Sequence, residues 1–133
     1  MTATEEAPAK NIVTLQDDYI NVVWDGGQNA DKVHTTRLEV AEAAQQLSAL
    51  HKPVLLRLVI EHHPLMPNMG VLQEVLKIFR TVDFDRMVVC GNLPKPMMTL
   101  VSSIIASFHI EFEIEFMADP DEALTWLKSY HKK

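Results

Sequence analysis

Three groups of residues in this chain carry side chains of the kinds that do chemistry. Glu61, His62 and His63 stand together and offer a carboxylate and two imidazoles, the usual ligands of a transition metal. Cys90, the single cysteine, would form a nucleophile–base pair if a histidine lay beside it. Glu111, Glu113 and Glu115 recur at two-residue spacing, which puts three carboxylates on one face of an extended chain and imitates an acid–base site. Each group also has a plainer reading. Neighbouring residues of an extended chain point to opposite sides, so His62 and His63 do not converge. A third ligand would have to come from His34, His51 or His109, and no ligand spacing links them. Cys90 lies between Val89 and Gly91, where no sequence neighbour would lower its pKa, and reads as a small hydrophobe. The glutamate row reads as the solvated side of a strand. Gly26-Gly27 lacks the Lys-Ser/Thr ending of a phosphate loop. The residues therefore predict no catalytic group, no metal and no cofactor. A hydrolase or metal-binding protein stays as the weakest alternative, requiring histidines and acids to meet at a pocket.

The elements that would position these residues follow from periodicity. Pro53 to Ile60 is a run of aliphatic and β-branched residues opened by a proline and closed by the polar, Pro-rich stretch from Glu61 to Asn68, as expected of a central parallel strand buried on both faces. In open α/β sheets, sites gather where such strands end and pass to helices. Before it, Asn11 to Leu15 and Tyr19 to Trp24 are short strands joined by Gln16-Asp17-Asp18, a hairpin spacing. From Asp31, the expected N-cap, Val33, Arg37, Val40, Ala41, Ala44, Leu47 and Leu50 recur at helical spacing until His51-Lys52-Pro53 stops the helix.

Beyond the central strand the alternation continues. Asn68 is placed to cap a second helix with Val71, Leu72, Val75, Leu76 and Phe79 on its buried face. Arg86 to Cys90 is a strand, and Pro96 opens a third helix, Met97 to Phe108, that is apolar almost all round. Glu111 to Phe116 alternates charged and apolar residues, which predicts an edge strand guarded by its charges. Asp119 as N-cap, Pro120 at the first helical position, acids in the first turn and lysines at the far end define a last helix. The order is ββαβαβαβα: an α/β fold with a mixed five-stranded sheet and about four helices, without internal repeat or second domain.

Composition bounds the function. The 133 residues match one domain able to bury roughly two-thirds of its unfolded surface. With 47% hydrophobic and 23% charged residues, the chain has the composition of a soluble globular protein. A net charge of -6 and no Lys/Arg stripe predict no nucleic-acid partner. Residues 1–10 have neither the basic flank nor the apolar core of a targeting signal and read as a disordered lead to a domain spanning 11–133. The longest mostly apolar run, Met97 to Ile110, is interrupted by polar residues and falls short of the ~20 residues of a membrane span. A cytoplasmic protein is expected.

Trp24-Asp25-Gly26 at the end of the hairpin, Asn68-Met69-Gly70-Val71-Leu72 at the start of the second helix, and the closing run from Asp119 to Leu127 resemble the STAS domain, more narrowly its SpoIIAA-like (STAS/SEC14-type) small proteins. The resemblance covers about residues 11 to 130 as an order of elements, and implies a STAS-like fold and a non-catalytic regulatory role. In the bacterial anti-anti-sigma factors of that family, a serine in Asp-Ser-x-Gly at the start of the second helix is phosphorylated, and the added charge breaks a complex. Matching Gly70-Val71 to the family's Gly-Val puts Leu65 and Met66 at the Asp and Ser positions. No Ser or Thr occurs from Ala49 to Arg80, so the phosphoserine switch is absent.

What remains unusual is apolar surface. Leu65, Met66, Pro67 and Met69, with Leu93, Pro94, Met97, Met98, Leu100, Val101, Ile104 and Ile105, exceed what one helix face buries against one sheet. One reading makes the third helix simply core. The other makes the surface a contact for a protein partner or a second copy, built from Pro64, Leu65, Met66, Asn68, Met69, Met97 and Met98 with His62, His63 and Lys95 on a polar rim. A carrier of a small apolar or lipid-like ligand, or a peripheral membrane contact, is the alternative, and the carrier requires an enclosed cavity.

Overall fold

The computed structural model describes residues 11–25, 30–61, 69–91, 95–107 and 112–130. Strands β1 (Ile12–Leu15), β2 (Ile20–Asp25), β3 (Leu55–Glu61), β4 (Arg86–Gly91) and β5 (Glu113–Met117) form one sheet in the order β1-β2-β3-β4-β5. β1 and β2 are antiparallel and every other pair is parallel, so the sheet is mixed and β3 lies at its centre. Helices α1 (Ala30–Ala49), α2 (Met69–Thr81), α3 (Lys95–Ser107) and α4 (Pro120–Lys128) alternate with the strands.

Side chains alternate across the sheet, and each face has its own core. Ile20, Val22 and Trp24 of β2, Leu56 and Ile60 of β3, and Met87 and Val89 of β4 meet Val33, Val40, Ala44 and Leu47 of α1 and Ile78 of α2 on the first face. Phe112 packs edge-on against Phe79 and tilted against Phe84, 5.7 and 5.3 Å between ring centres, and closes that core beside β5. On the second face Leu55, Val59, Val88 and Cys90 meet Ala123 and Leu127 of α4, which lies over β3, β4 and β5.

Local chemistry explains where the helices differ from expectation. α1 begins at Ala30, which places Asp31 inside the first turn rather than at the cap. Leu50, expected on its buried face, is 62% exposed. The reason is a left-handed His51, φ 60°, whose N–H donates to Ser48 O while that of Lys52 donates to Leu47 O, both at 3.0 Å. This is a Schellman ending with histidine where glycine is usual, and it turns the chain before Leu50 can reach the core. Thr36, polar in sequence, is fully buried because its hydroxyl accepts from Asn11 Nδ2 and donates to Lys32 O, both at 2.9 Å. α3 starts at Lys95, leaving Pro96 in a first turn that needs no N–H from it. α4 follows its sequence: the Asp119 carboxylate accepts from Asp121 N–H at 2.9 Å and Pro120 takes the first position. β5 starts at Glu113 and lies at the sheet edge, with Glu113 and Glu115 exposed and Ile114 and Phe116 half-buried.

Candidate functional site

The parallel strands deliver their C-terminal ends to one side of the sheet. Asp25 is paired with Glu61, and Ile60 with Gly91, so β2, β3 and β4 finish together and the expected contact segments follow them there. Of those segments, His62, His63, Pro64, Leu65, Met66 and Asn68 lie outside the described residues. Met69 opens α2. Lys95 opens α3 with its side chain exposed, Met97 lies in the first turn of that helix, and the neighbouring Met98 is half-buried. Topology thus brings the starts of α2 and α3 to one end of one sheet, each following a strand that pairs with the other.

Gly91 is the position in that rim with a stringent backbone demand. Its φ is +100°, and a Cβ there would stand 2.3 Å from Ile60 O. The glycine lets β4 turn out of the sheet while touching the β3 backbone. Next to it, Cys90 is fully buried, its thiol 3.5 Å from Leu58 O, and burial pushes its pKa up to about 11. The nearby Arg57 acts in the opposite direction and is outweighed. At neutral pH the group is a thiol, without the thiolate character that nucleophilic catalysis needs. Trp24 is 3% exposed at the end of β2, and its Nε1–H finds no acceptor among the described residues.

The thiol has a consequence for stability against pH. An ordinary cysteine ionises near 9 and Cys90 only near about 11, so the folded state holds its proton more tightly than the unfolded chain. The associated stabilisation is complete below pH 9 and is lost as pH rises toward 11. Its upper magnitude is about 2–3 kcal/mol, and urea unfolding from pH 8 to pH 11 measures it. Cys90→Ala should flatten that slope. In the native wild-type protein at pH 8 a thiol reagent should label Cys90 only on the timescale of unfolding.

Several charged side chains brace helices and strand starts. Glu74 of α2 faces α1, with Lys77 Nζ at 3.0 Å, His34 Nδ1 at 3.4 Å and Arg37 Nε at 3.6 Å. The Lys77 hydrogen bond, against the opposing effect of burial, holds the Glu74 carboxyl below the usual carboxylate range. Arg37 Nη2 also lies 3.0 Å from His34 Nδ1. Asp85 joins two strand starts: Val54 N–H donates to its Oδ2 at 2.7 Å, and its own N–H donates to Val54 O at 2.8 Å. The Tyr130 hydroxyl reaches Asp85 Oδ1 at 3.4 Å, and burial, then that carboxylate, raises its pKa.

Two arginines hold α4. Arg57, on the second face of β3, donates from Nε to Asn21 Oδ1 at 2.8 Å and from Nη1 to Pro120 O at 3.0 Å, where the helix begins. Arg86 donates from Nη1 to Trp126 O at 2.8 Å and to Ser129 Oγ at 3.0 Å, where the helix ends. Its Nε and Nη2 reach Glu113 Oε1 at 2.8 and 2.6 Å, and the guanidinium lies 4.2 Å from the Trp126 ring centre. Sequence inspection passed over both. The available signal was a cation in, or opening, an otherwise aliphatic strand, a position that charged residues take only when paired.

Of the histidines offered as a third metal ligand, His34 belongs to the α1–α2 seam and His51 to the end of α1. Among the described residues no group of three His, Cys, Asp or Glu side chains converges to hold a metal. No helix among them is long and apolar enough to cross a membrane. The class so defined is an α/β protein with one mixed five-stranded sheet. The chain matches no family model, no curated protein and no solved structure.

Proposed function

We propose that the protein is a non-catalytic regulatory or interaction module of STAS/SpoIIAA-like type that works without phosphoserine switching. The observation that carries this reading is where chemistry-bearing groups among the described residues are spent. Glu74, Asp85, Arg57 and Arg86 brace helices and strand starts, and Cys90 is buried as a protonated thiol. The contact surface is the stretch from Pro64 to Gly70 with the starts of α2 and α3, which leave the same end of the sheet. Binding buries its apolar side chains against a protein partner, with His62, His63 and Lys95 at the rim.

A carrier of a small ligand is the second reading, and the unsatisfied Trp24 Nε1–H favours it, since a polar atom of a guest would supply the missing acceptor. Native mass spectrometry of the purified protein separates the two. An apo protein that binds or self-associates through a surface weakened by Met97→Glu, with unfolding unchanged, supports the module. A monomer with a retained small molecule supports the carrier, and one with stoichiometric metal overturns both.

A further inference from the structure

We infer that the outer edge of β1 is a self-association surface, by which two copies join their sheets through antiparallel β1–β1 pairing. The argument begins with the hairpin. Gln16 N–H donates to Tyr19 O at 2.8 Å, so Gln16 and Tyr19 form a hydrogen-bonded pair of the β1–β2 ladder. In an antiparallel ladder such pairs alternate with non-bonded ones. Thr14 with Asn21, and Ile12 with Val23, are then bonded pairs, whereas Val13 with Val22 and Leu15 with Ile20 are not. The N–H and C=O of Val13 and Leu15 therefore point away from β2. Among the described residues β1 has no second neighbour, and the sheet ends there.

The two sheet edges differ in how they meet another strand. β5 exposes Glu113 and Glu115, a charged edge of the kind that resists pairing. β1 reads Ile-Val-Thr-Leu, without charge, proline or bulge, and leaves Ile12 53% exposed. Its start is held in place, since the adjoining Asn11 is buried and bonded to Thr36 of α1. A neutral edge is complementary to itself. Pairing β1 with the acidic β5 of another copy would be heterologous and open-ended, whereas β1 with β1 closes as a two-fold dimer.

Of the registers these outward groups allow, one uses both Val13 and Leu15 of each strand. Val13 of one copy opposes Leu15 of the second, and the reverse, each pair exchanging both N–H···O=C bonds. Thr14 then opposes Thr14 of the second copy at the dyad as a non-bonded pair, the closer kind, and Ile12 opposes Gln16. The contact is short and depends on main-chain groups, so the dimer dissociates on dilution.

Sedimentation equilibrium across a concentration series, with amide hydrogen exchange at the same concentrations, tests this on the full chain. The expected result is a reversible dimer in which the Val13 and Leu15 amides gain protection as concentration rises. Thr14→Lys should weaken association by up to about fivefold by placing like charges opposite each other. Val13→Pro should do the same while leaving the β1–β2 ladder intact, because the lost N–H faces outward. Oxidised Thr14→Cys should crosslink at the dyad, where opposed chains approach to roughly 4.5 Å between Cα atoms, within disulfide reach. A monomer at every concentration overturns the inference. So does protection of both amides in the monomer, which would mean that another part of the chain covers the edge. A dimer sensitive to Met97→Glu but not to Thr14→Lys would overturn it while leaving the proposed contact at α2 and α3 standing.

Discussion

Gly91→Ala is expected to destabilise the protein by about 3 kcal/mol or more, through backbone strain together with overpacking. At φ +100° an L side chain is strained before any neighbour is considered, and the added Cβ would fall 2.3 Å from Ile60 O and 3.1 Å from Ile60 N. Both are main-chain atoms of the central strand, so relief cannot come from a rotamer change. Either β4 pulls away from β3 at their shared end, or the turn toward α3 is rebuilt. The loss is a substantial fraction of the roughly 5–15 kcal/mol that stabilises a domain of this size, yet leaves a folded population to study. Urea unfolding should show a lower midpoint with an unchanged slope. A change of less than about 0.5 kcal/mol would be that of an ordinary surface substitution and would mean that the left-handed bend is not kept in solution. Since the chain passes from Gly91 toward α3, the same substitution should weaken whatever contact the start of that helix makes.

Much of the architecture could be read from residue spacing, and the places where reading failed share a cause. β3 announced itself through a run of aliphatic residues that only a strand covered on both faces carries, and β5 through strict alternation of glutamate with apolar residues. α4 was legible to the residue because its cap, its proline and its end charges are local signals. Leu50 was misplaced because the period of α1 continues through it in sequence; His51-Lys52-Pro53 marks the stop, but not the left-handed turn at His51 that keeps Leu50 out of the core. Thr36 was missed because its burial depends on Asn11, a partner 25 residues away. The meeting of the starts of α2 and α3 at one end of the sheet follows from the order of elements, whereas the side chains that hold α4 on the second face could not be read from it. Arg57 and Arg86 meet α4 across separations of 63 and 40 residues, and such long-range pairs leave no periodic trace. The STAS resemblance rests on an order of elements, and order alone constrains topology far more than function.

Arg86 is where that long-range chemistry has its largest expected effect. Arg86→Ala should cost about 3 kcal/mol, from two hydrogen bonds to α4, a cation–π contact and a charge-assisted pair with Glu113. The contributions are unequal, and a second substitution separates them. Glu113 is 59% exposed at its side chain, so its ion pair is screened by water, and Glu113→Gln should cost no more than about 1 kcal/mol. The Trp126 carbonyl and ring, by contrast, meet a guanidinium whose side chain is 12% exposed. Removing that guanidinium takes one donor from the Trp126 carbonyl, which keeps those of Ser129, and leaves the indole without its cover, just where the negative end of α4 favours a cation. Arg86→Lys should fall between the two, since a lysine keeps the charge but cannot reach carbonyl, hydroxyl and carboxylate at once while lying on the ring. Urea unfolding orders the three variants, and hydrogen exchange of the α4 amides localises the loss. If Glu113→Gln costs as much as Arg86→Ala, the helix is held by the exposed ion pair and not by the stacked, main-chain-bonded arginine. If the expected order holds, the stacked arginine at the start of β4 fixes the end of α4, as Arg57 fixes its beginning.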